Sequence, residues 1–383
     1  MTNPARSALR FVVLLGVVSL FADMTYEGAR SITGPYLLTF GVSAVVVGVV
    51  SGAGELIGYA LRLVSGWFAD RTHRYWATTI VGYAINLFAV PLLALAGSWP
   101  VAAALIILER AGRAIRKPSG DAMLSHAGSV IGHGWAFGLR EALDQTGAVV
   151  GPLVVAFVLA RQLGYHVAYT VLVVPAALSF VFLLIARRQF PRPRDLEVKT
   201  PPKIDPAGES RRFWLYTIAG ALIAAGTVDF PLVAYHLAKS MVVSAATVPL
   251  LYALAMGTAA ISAPVIGVLM DRRGMPVLVG TVVVTALAAP LLFLGDARLA
   301  IIGVAVWGLS TALQDATIRA MLARLVPPDR RASAYGIFDG IFGVAWFLGS
   351  AAMGGLYTLA PVDLVIASIA LQLSSVPFLL LSQ

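Results

Sequence analysis

The chain has 383 residues, of which 59% are hydrophobic and 12% are charged, whereas soluble domains average roughly 45–50% and about 25%. A soluble protein of this composition would expose more apolar surface than water tolerates, so most of the chain is expected to face lipid. The net charge of +9 does not indicate nucleic-acid binding, because the basic residues fall between apolar runs. The chain contains no cysteine, which excludes disulfides, thiolate metal ligands and cysteine nucleophiles.

The apolar runs are long enough to cross a bilayer about twelve times, since each crossing helix needs about 20 mainly apolar residues. This count predicts an all-α membrane protein with about twelve transmembrane helices. The predicted spans are 9–40, 44–69, 76–96, 100–116, 135–160 and 167–186 in the first half, and 213–237, 242–270, 277–294, 299–325, 334–358 and 362–381 in the second.

A polar segment, residues 187–212, separates the sixth and seventh predicted spans and carries prolines among many charges. It has no apolar period, so we expect a linker between two six-helix bundles, 1–186 and 213–383. The face shared by the linker and both termini holds most of the basic residues, and the opposite loops hold few. The positive-inside rule therefore predicts that the linker and both termini are cytoplasmic, in a bacterial inner membrane.

A short motif recurs in the two halves. Residues 66–71 read Gly-Trp-Phe-Ala-Asp-Arg at the end of one apolar run, and residues 267–272 read Gly-Val-Leu-Met-Asp-Arg at the end of another. Asp121-Ala-Met and Arg319-Ala-Met are a further match in the same order. Such a repeat predicts two pseudo-symmetric halves, an arrangement found mainly in transporters.

This arrangement resembles the major facilitator superfamily over the whole chain. The resemblance rests on the two six-helix halves, the basic linker and the Gly-x-x-x-Asp-Arg motif after spans two and eight. It implies that the halves rock about a central site and expose it alternately to each face of the membrane. The matching gating positions are Gly66, Asp70, Arg71 and Arg74 in the first half and Gly267, Asp271 and Arg272 in the second. His73 and Tyr75 depart from the family's usual glycine and basic residue.

The first copy of the motif predicts a latch between access states. Gly66 is expected to permit close approach of a neighbouring helix, and Asp70 to face the positive N-terminal end of a helix from the other half. Arg74 is expected to pair with Asp121 at the cytoplasmic end of span four. The alternative is that these charges only set the topology of the loops.

The fifth span contains Gly147-x-x-x-Gly151-Pro152, which is similar to the signature of the superfamily's proton-linked antiporters. The glycine pair that usually follows is replaced by Val155 and Ala156. The resemblance implies export by antiport. The alternative is a tight helix-packing seam with no bearing on direction, because small residues four apart let two helices approach closely.

Ionisable side chains crowd the predicted membrane spans of the first half. At the bilayer centre each costs at least about 2.5–3.5 kcal/mol, so each must face protein or a wet cavity. Two sets share the spacing i, i+4, i+7 and therefore one helix face. We expect a central cavity lined by Asp23, Glu27 and Arg30 of span one, Glu55 of span two, Glu109, Arg113 and Arg116 of span four, and Asp144 of span five.

A carboxylate without a nearby cation takes up and releases a proton more readily than a paired one. Asp23 and Glu55 have no basic residue four positions away on their own helices, so they are the first candidates for proton coupling. Glu27 follows, because Arg30 lies three residues after it. The alternative is that all these charges form structural ion pairs that hold the bundle together.

The second half carries fewer buried acids, namely Asp229, Asp315 and Asp339, which we place in the same central cavity. Arg319 lies four residues after Asp315 and is its expected partner. His236 is expected to be solvated near the outer end of span seven. Much of the rest is apolar or aromatic, so we expect ion coupling in the first half and an apolar wall from the second.

These patterns predict a proton-coupled secondary transporter that exports a small, partly apolar compound. One alternative is transport of an organic anion held by Arg30, Arg113 or Arg116. Another is export of a divalent cation by carboxylates of spans one and two, because hard cations prefer oxygen ligands. The neighbouring arginines count against that cation site.

A membrane-embedded enzyme and a non-transporting receptor are the alternatives from other classes. No sequence matches Gly-x-x-x-x-Gly-Lys-Ser/Thr, so ATP-driven pumping is unsupported. We expect no catalytic residues, no cofactor, no metal and no nucleic-acid partner. The expected partners are protons, a small-molecule substrate and the lipid bilayer, and the expected state is a monomer.

Overall fold

A computed structural model describes residues 3–72, 74–192, 211–314 and 331–382. Every regular element in these ranges is a helix. The first half contains α1 (Asn3–Thr39), α2 (Ala44–Thr72), α3 (Tyr75–Leu92), α4 (Trp99–Ile131), α5 (His133–Ala160), α6 (Gly164–Val171) and α7 (Val173–Gln189). The second half contains α8 (Arg211–Gly226), α9 (Phe230–Lys239), α10 (Thr247–Arg273), α11 (Met275–Thr285), α12 (Ala288–Phe293), α13 (Ala297–Ala312), α14 (Arg331–Leu359) and α15 (Pro361–Leu381).

Ten helical stretches in the described residues are long and apolar enough to cross a membrane. They match ten of the twelve predicted spans. The predicted span 100–116 lies within α4, which continues to Ile131. This helix carries too many charged residues to count among the ten membrane-spanning stretches. The predicted span 299–325 is described only over Ala297–Ala312. The chain is therefore an all-α, multi-pass membrane protein.

Three predicted spans are not single helices. The chain breaks between α6 and α7, between α8 and α9, and between α11 and α12. A proline stands within the first three residues of the helix that follows each break, at Pro175, Pro231 and Pro290, and proline cannot donate the helical hydrogen bond to the carbonyl four residues earlier. Other prolines, such as Pro152 in α5, lie inside continuous helices.

The chain separates into two compact units. One unit is Met1–Ile32 with Ile57–Pro201, and the other is Thr33–Leu56 with Pro202–Gln383. The end of α1 and the start of α2 thus group with the second half. The predicted linker, 187–212, begins with the last turn of α7, and residues 193–210 lie outside the described ranges.

Backbone contacts explain why Thr33–Leu56 belongs to the second unit. Gly34 of α1 lies so close to Pro231 of α9 that a Cβ would meet its carbonyl oxygen. Gly354 of α14 lies equally close to α2, where a Cβ would stand 2.6 Å from the carbonyl oxygen of Ala44. Small residues let helices approach to this distance in lipid, where packing rather than water exclusion drives association.

Candidate functional site

A tight crossing of α3 and α4 organises the first unit. A Cβ on Gly82 would stand 2.6 Å from the backbone nitrogen of Arg116, and a Cβ on Gly112 would meet the backbone nitrogen of Asn86. Any larger residue at either glycine would push the two helices apart. The crossing therefore sets side chains of α3, such as Tyr83 and Asn86, directly against the charged face of α4.

A second tight crossing joins α1 and α5 beside Asp23. A Cβ atom on Gly147 would clash with the carbonyl oxygen of Leu20 and would lie 3.0 Å from the Cβ of Asp23. A Cβ on Gly151 would meet the carbonyl oxygen of Met24. The small residues of the fifth span thus form a packing seam against the turn of α1 that carries Asp23.

Asp23 is a buried carboxylate that is 8% exposed. Its hydrogen-bond partner in the described chain is Tyr26, whose hydroxyl donates to Oδ1. Arg113 and Arg116 of α4 and Asp144 of α5 act on it electrostatically, although neither arginine reaches ion-pair distance among the described residues. The like charge of Asp144 on α5 disfavours the ionised form of Asp23, and the two arginines of α4 favour it.

Two arginines of α4 stack on tyrosine rings. The guanidinium carbon of Arg113 lies 4.4 Å from the ring centroid of Tyr26, and that of Arg116 lies 4.2 Å from the centroid of Tyr83. Arg116 is 4% exposed, and its Nε has no hydrogen-bond acceptor among the described residues. A cation–π contact partly replaces the lost water of a buried guanidinium, but it supplies no acceptor.

Two carboxylates of the predicted cavity are engaged by polar neighbours. Oε1 of Glu27 lies 3.6 Å from Nη1 of Arg113. Oε2 of Glu109 lies 3.4 Å from Nε of Arg110, and Oε1 accepts a hydrogen bond of 2.7 Å from the side-chain amide of Asn86. Their negative charge is therefore compensated locally, in contrast to that of Asp23.

Arg140 of α5 joins two carboxylates from different helices. Its Nη1 lies 2.5 Å from Oδ1 of Asp121 on α4, and its Nε lies 3.6 Å from Oδ2 of Asp144. The same Nε donates a hydrogen bond of 3.1 Å to the hydroxyl of Ser19 on α1. The predicted pair of Asp121 with Arg74 is replaced by this contact, because α4 continues past the expected end of its span and carries Asp121 onto the face towards α5.

In the second unit, the break between α8 and α9 exposes backbone groups that side chains then satisfy. The carbonyl oxygen of Gly226 accepts hydrogen bonds from Ser368 at 2.6 Å and from Gln372 at 3.2 Å. The carbonyl oxygen of Val228 accepts one of 2.7 Å from the indole of Trp307. Beside these residues lies a cavity with about 10 Å³ for the centre of a water molecule, which is room for about one water.

Asp229 lies at the start of α9, directly after this break, and is 3% exposed. Its carboxylate accepts hydrogen bonds of 2.7 Å from the indole of Trp346 and 2.5 Å from the hydroxyl of Ser350. At the other end of α9, His236 is buried and its Nδ1 lies 2.9 Å from the hydroxyl of Tyr357. The expectation of a solvated His236 is therefore wrong, because aromatic side chains enclose that end of the helix.

The remaining predicted cavity residues belong to both units. Arg30 is half-buried on α1 in the first unit, whereas Glu55 on α2 and Asp339 on α14 are half-buried in the second. All three have polar or electrostatic partners. Asp315 and its expected partner lie outside the described residues.

The two glycines of the gating motif are not at tight contacts. A Cβ on Gly66 would stand 3.5 Å from the Cβ of Pro118, which is an ordinary van der Waals distance. A Cβ on Gly267 would meet nothing within 4 Å among the described residues. Among the described residues, no helix approaches Gly66 as closely as the motif predicts.

The charged positions of the gating motif fall at the ends of α2 and α10. Arg71 and Arg272 are exposed, and the guanidinium of Arg71 lies 5.3 Å from the ring centroid of Trp67. The side chains of Asp70 and Asp271 lie outside what the structure describes. The contact expected for Asp70 therefore stays a prediction.

Three residues of this site were not among the sequence candidates. Tyr26 and Tyr83 support the arginines, and Asn86 binds Glu109. Tyr26 follows Asp23 by three positions and thus shares its helix face, which is a signal the sequence does contain. Tyr83 and Asn86 carry no such signal, because only the crossing of α3 and α4 brings them to the charges.

The family model of the Major Facilitator Superfamily matches residues 15–349. The chain belongs to this superfamily. A protein of Mycobacterium tuberculosis whose function is uncharacterized is 43% identical over 378 residues, which cover 97% of this chain and 92% of the relative. An uncharacterized transporter of the superfamily's type from Methanocaldococcus jannaschii is 23% identical over 366 residues, covering 93% of this chain and 90% of the relative.

Solved structures of other transporters share the superfamily fold. A peptide transporter in complex with sulfate superposes with a TM-score of 0.75 at 13% identity, covering 100% of this chain and 97% of the other. A nucleoside transporter gives 0.71 at 15% identity, covering 97% and 98%. At these identities the likeness concerns the fold. Together with the family match, it identifies this chain as a secondary transporter of the major facilitator superfamily.

Proposed function

We propose that this chain is a proton-coupled transporter that works by alternating access, with Asp23 as the residue that carries the proton. The supporting observation is the position of the Asp23 carboxylate. It is buried, bound to the Tyr26 hydroxyl, and lies at the junction of α1, α4 and α5. A coupling residue must lose and regain a proton without dismantling the bundle, and a carboxylate outside any ion pair meets that condition.

The other acids of the first unit are less suited to this role. Glu27 lies against Arg113, Glu109 against Arg110 and Asn86, and Asp144 against Arg140. Protonation of any of them would weaken an ion pair that is already formed, which opposes reversible proton transfer at these acids. Glu55, the second sequence candidate, belongs to the second unit and is not without a partner.

Export by antiport, with a small and partly apolar substrate, is the form of transport that the fifth-span motif predicts. The packing of Gly147 and Gly151 against the turn that carries Asp23 supports a link between this motif and the coupling residue. Transport of an organic anion is the second candidate. It is favoured by the buried guanidinium of Arg116, which lacks an acceptor at Nε within the described chain.

Asp23→Asn tests the proposal in proteoliposomes with an imposed pH gradient. Uptake of a panel of radiolabelled small carboxylates, amines and uncharged solutes identifies a compound that the native protein accumulates. We expect Asp23→Asn to reduce gradient-driven accumulation of that compound at least about 100-fold, because a group that cannot ionise cannot release its proton. Counterflow exchange, which needs no net proton movement, should persist.

Glu141→Gln is the matched control, because Glu141 is an exposed carboxylate on α5 and its loss should leave accumulation unchanged. Normal gradient-driven accumulation by Asp23→Asn would show that the proton is carried elsewhere. Loss of both accumulation and exchange would show that Asp23 serves binding or folding instead.

We further propose that the chain lies in a bacterial cytoplasmic membrane with both termini and the linker inside. Because the native chain has no cysteine, single cysteines report topology cleanly. Lys199→Cys in the linker should resist an impermeant thiol reagent in intact cells, and Arg298→Cys at the start of α13 should react. The reverse labelling pattern would overturn this orientation.

A further inference from the structure

We propose that the arginine pair Arg113 and Arg116 binds the anionic group of the transported substrate, a carboxylate or a phosphate, and that this binding and protonation of Asp23 favour each other. The inference rests on the proton coupling proposed above, and it adds the substrate class and the direction of coupling. It is carried by contacts within the first unit.

The first observation is the state of Arg116. The side chain is almost fully buried, and its Nε lacks an acceptor among the described residues. Its guanidinium carbon lies 4.2 Å from the ring centroid of Tyr83 and 5.6 Å from that of Tyr26. Guanidinium groups present five donors and match carboxylate and phosphate oxygens in geometry. A buried guanidinium with an unused donor is therefore able to donate a hydrogen bond to an oxygen of an incoming anion.

The second observation is the position of Arg113 one turn earlier on the same face of α4. Its side chain is 23% exposed, so it is the accessible member of the pair. Its contact with Glu27, at 3.6 Å, is longer than the roughly 2.7–2.9 Å of a strong charge-assisted hydrogen bond. An incoming anion can therefore bind Arg113 without first breaking a short ion pair.

The third observation is the set of charged groups around Asp23. Tyr26 of α1, Arg113 and Arg116 of α4 and Asp144 of α5 all act on its carboxylate. Asp144 lies against Arg140 and is compensated there. Asp23 is thus the nearby acid without an ion-pair partner of its own in the described chain, and its charge acts on the arginine pair as well as on Asp144.

Protonation of Asp23 removes one negative charge from beside two arginines and leaves the pair more attractive to an anion. Conversely, a bound anion makes it easier for Asp23 to hold a proton, because the two effects are linked by one free energy. A proton and an anion that favour each other's binding move together. The geometry therefore supports symport of a proton with an organic anion, in the direction opposite to the export implied by the fifth-span motif.

The test is ligand-dependent thermal stability of the purified full-length protein, since a ligand of the native state raises its melting temperature. The anionic probes are benzoate, phenylacetate and phenyl phosphate. Benzamide and phenylacetamide are neutral counterparts of similar shape, phenethylamine is the cationic one, and sodium chloride controls for ionic strength. We expect stabilisation by at least one anion and by none of the neutral or cationic compounds. The carboxylate and phosphate probes decide between the two kinds of anion.

Five variants test whether the arginine pair and Asp23 set the affinity for the anion. Arg116→Gln should weaken binding of the active anion at least about tenfold, and Arg116→Lys, which keeps the charge, should recover part of that affinity.

Asp23→Asn imitates the protonated acid and should tighten binding about tenfold, because the arginine pair loses a nearby uncompensated negative charge. Arg113→Gln should weaken binding even if Arg116→Gln does not fold. Glu141→Gln should leave binding unchanged.

Equal stabilisation by the neutral counterparts, or by no anion, would overturn the inference, as would unchanged binding in both arginine variants. Weaker anion binding in Asp23→Asn would overturn the coupling of proton and anion. If the anion binds more tightly to Asp23→Asn while that variant still accumulates substrate along a pH gradient, the arginine site stands and the proton-carrying role of Asp23 fails. The two proposals can therefore fail separately.

Discussion

The two units of this transporter handle buried charge in different ways. In the first, acids and arginines from α1, α4 and α5 surround one another, and Asp23 is bound by a single tyrosine hydroxyl. In the second, Asp229 lies at a helix break and accepts hydrogen bonds from the neutral groups of Trp346 and Ser350. The carboxylates of the first unit respond to the charges around them, whereas the Asp229 carboxylate is stabilised by the fixed dipoles of an indole N–H and a hydroxyl.

From this difference we expect proton coupling in the first unit and structural rigidity around Asp229 in the second. A cluster of opposing charges shifts when one member is protonated, because each group sets the electrostatic potential of the others. The carboxylate of Asp229 accepts hydrogen bonds from two neutral donors of α14 and so anchors that helix to the break before α9. We therefore expect substitutions in the first unit to disturb both transport and stability, and those at Asp229 to disturb chiefly the local structure.

The largest loss of stability is expected for Arg140→Ala. It leaves two carboxylates without their shared cation, the mostly buried Asp144 and the more exposed Asp121. Removal of one partner of a buried pair costs about 3 kcal/mol, which thermal unfolding of the purified protein measures. Arg161→Ala is the control, because Arg161 is exposed and rests on Phe157. If both variants unfold at the same temperature, the cluster does not stabilise the first unit.

A smaller loss is expected for Asp229→Ala, which leaves the donors of Trp346 and Ser350 unsatisfied. Such donors cost about 1–3 kcal/mol when they are buried without a partner. Asp229→Asn retains one acceptor oxygen and should be less destabilised than the alanine variant. An asparagine variant as unstable as the alanine variant would show that the charge, and not the hydrogen bonding, is what matters at this break.

The smallest effect on stability is expected for Asp70→Asn at the gating motif. The loss of a surface charge near a helix terminus costs about 1 kcal/mol, which suffices to shift an equilibrium between access states without unfolding the bundle. We therefore expect normal expression and melting temperature together with slower transport. Single-cysteine accessibility on the two membrane faces reports the shift. Unchanged turnover and unchanged accessibility would remove Asp70 from the latch.

The fold was predictable from the sequence because a helix that crosses a lipid bilayer must be long and apolar. A crossing helix needs a long apolar run, so the lengths of such runs and the repeat of residues 66–71 at 267–272 were enough to predict two halves of helices. The crowding of charges in spans one, four and five was visible for the same reason. Periodicity also placed Asp23 and Glu27 on one face of α1, where Tyr26 lies as well.

The tertiary structure alone decided which charges meet and which helices break. Periodicity states the face of a helix on which a residue lies, but not the neighbour towards which that face turns, and so Asp121 meets Arg140 and not Arg74. Prolines follow each of three breaks, yet Pro152 lies within a continuous helix, because neighbouring helices and side chains can satisfy the freed backbone groups. The close crossings at Gly82 and Gly147 likewise depend on the opposing backbone, which no local pattern encodes.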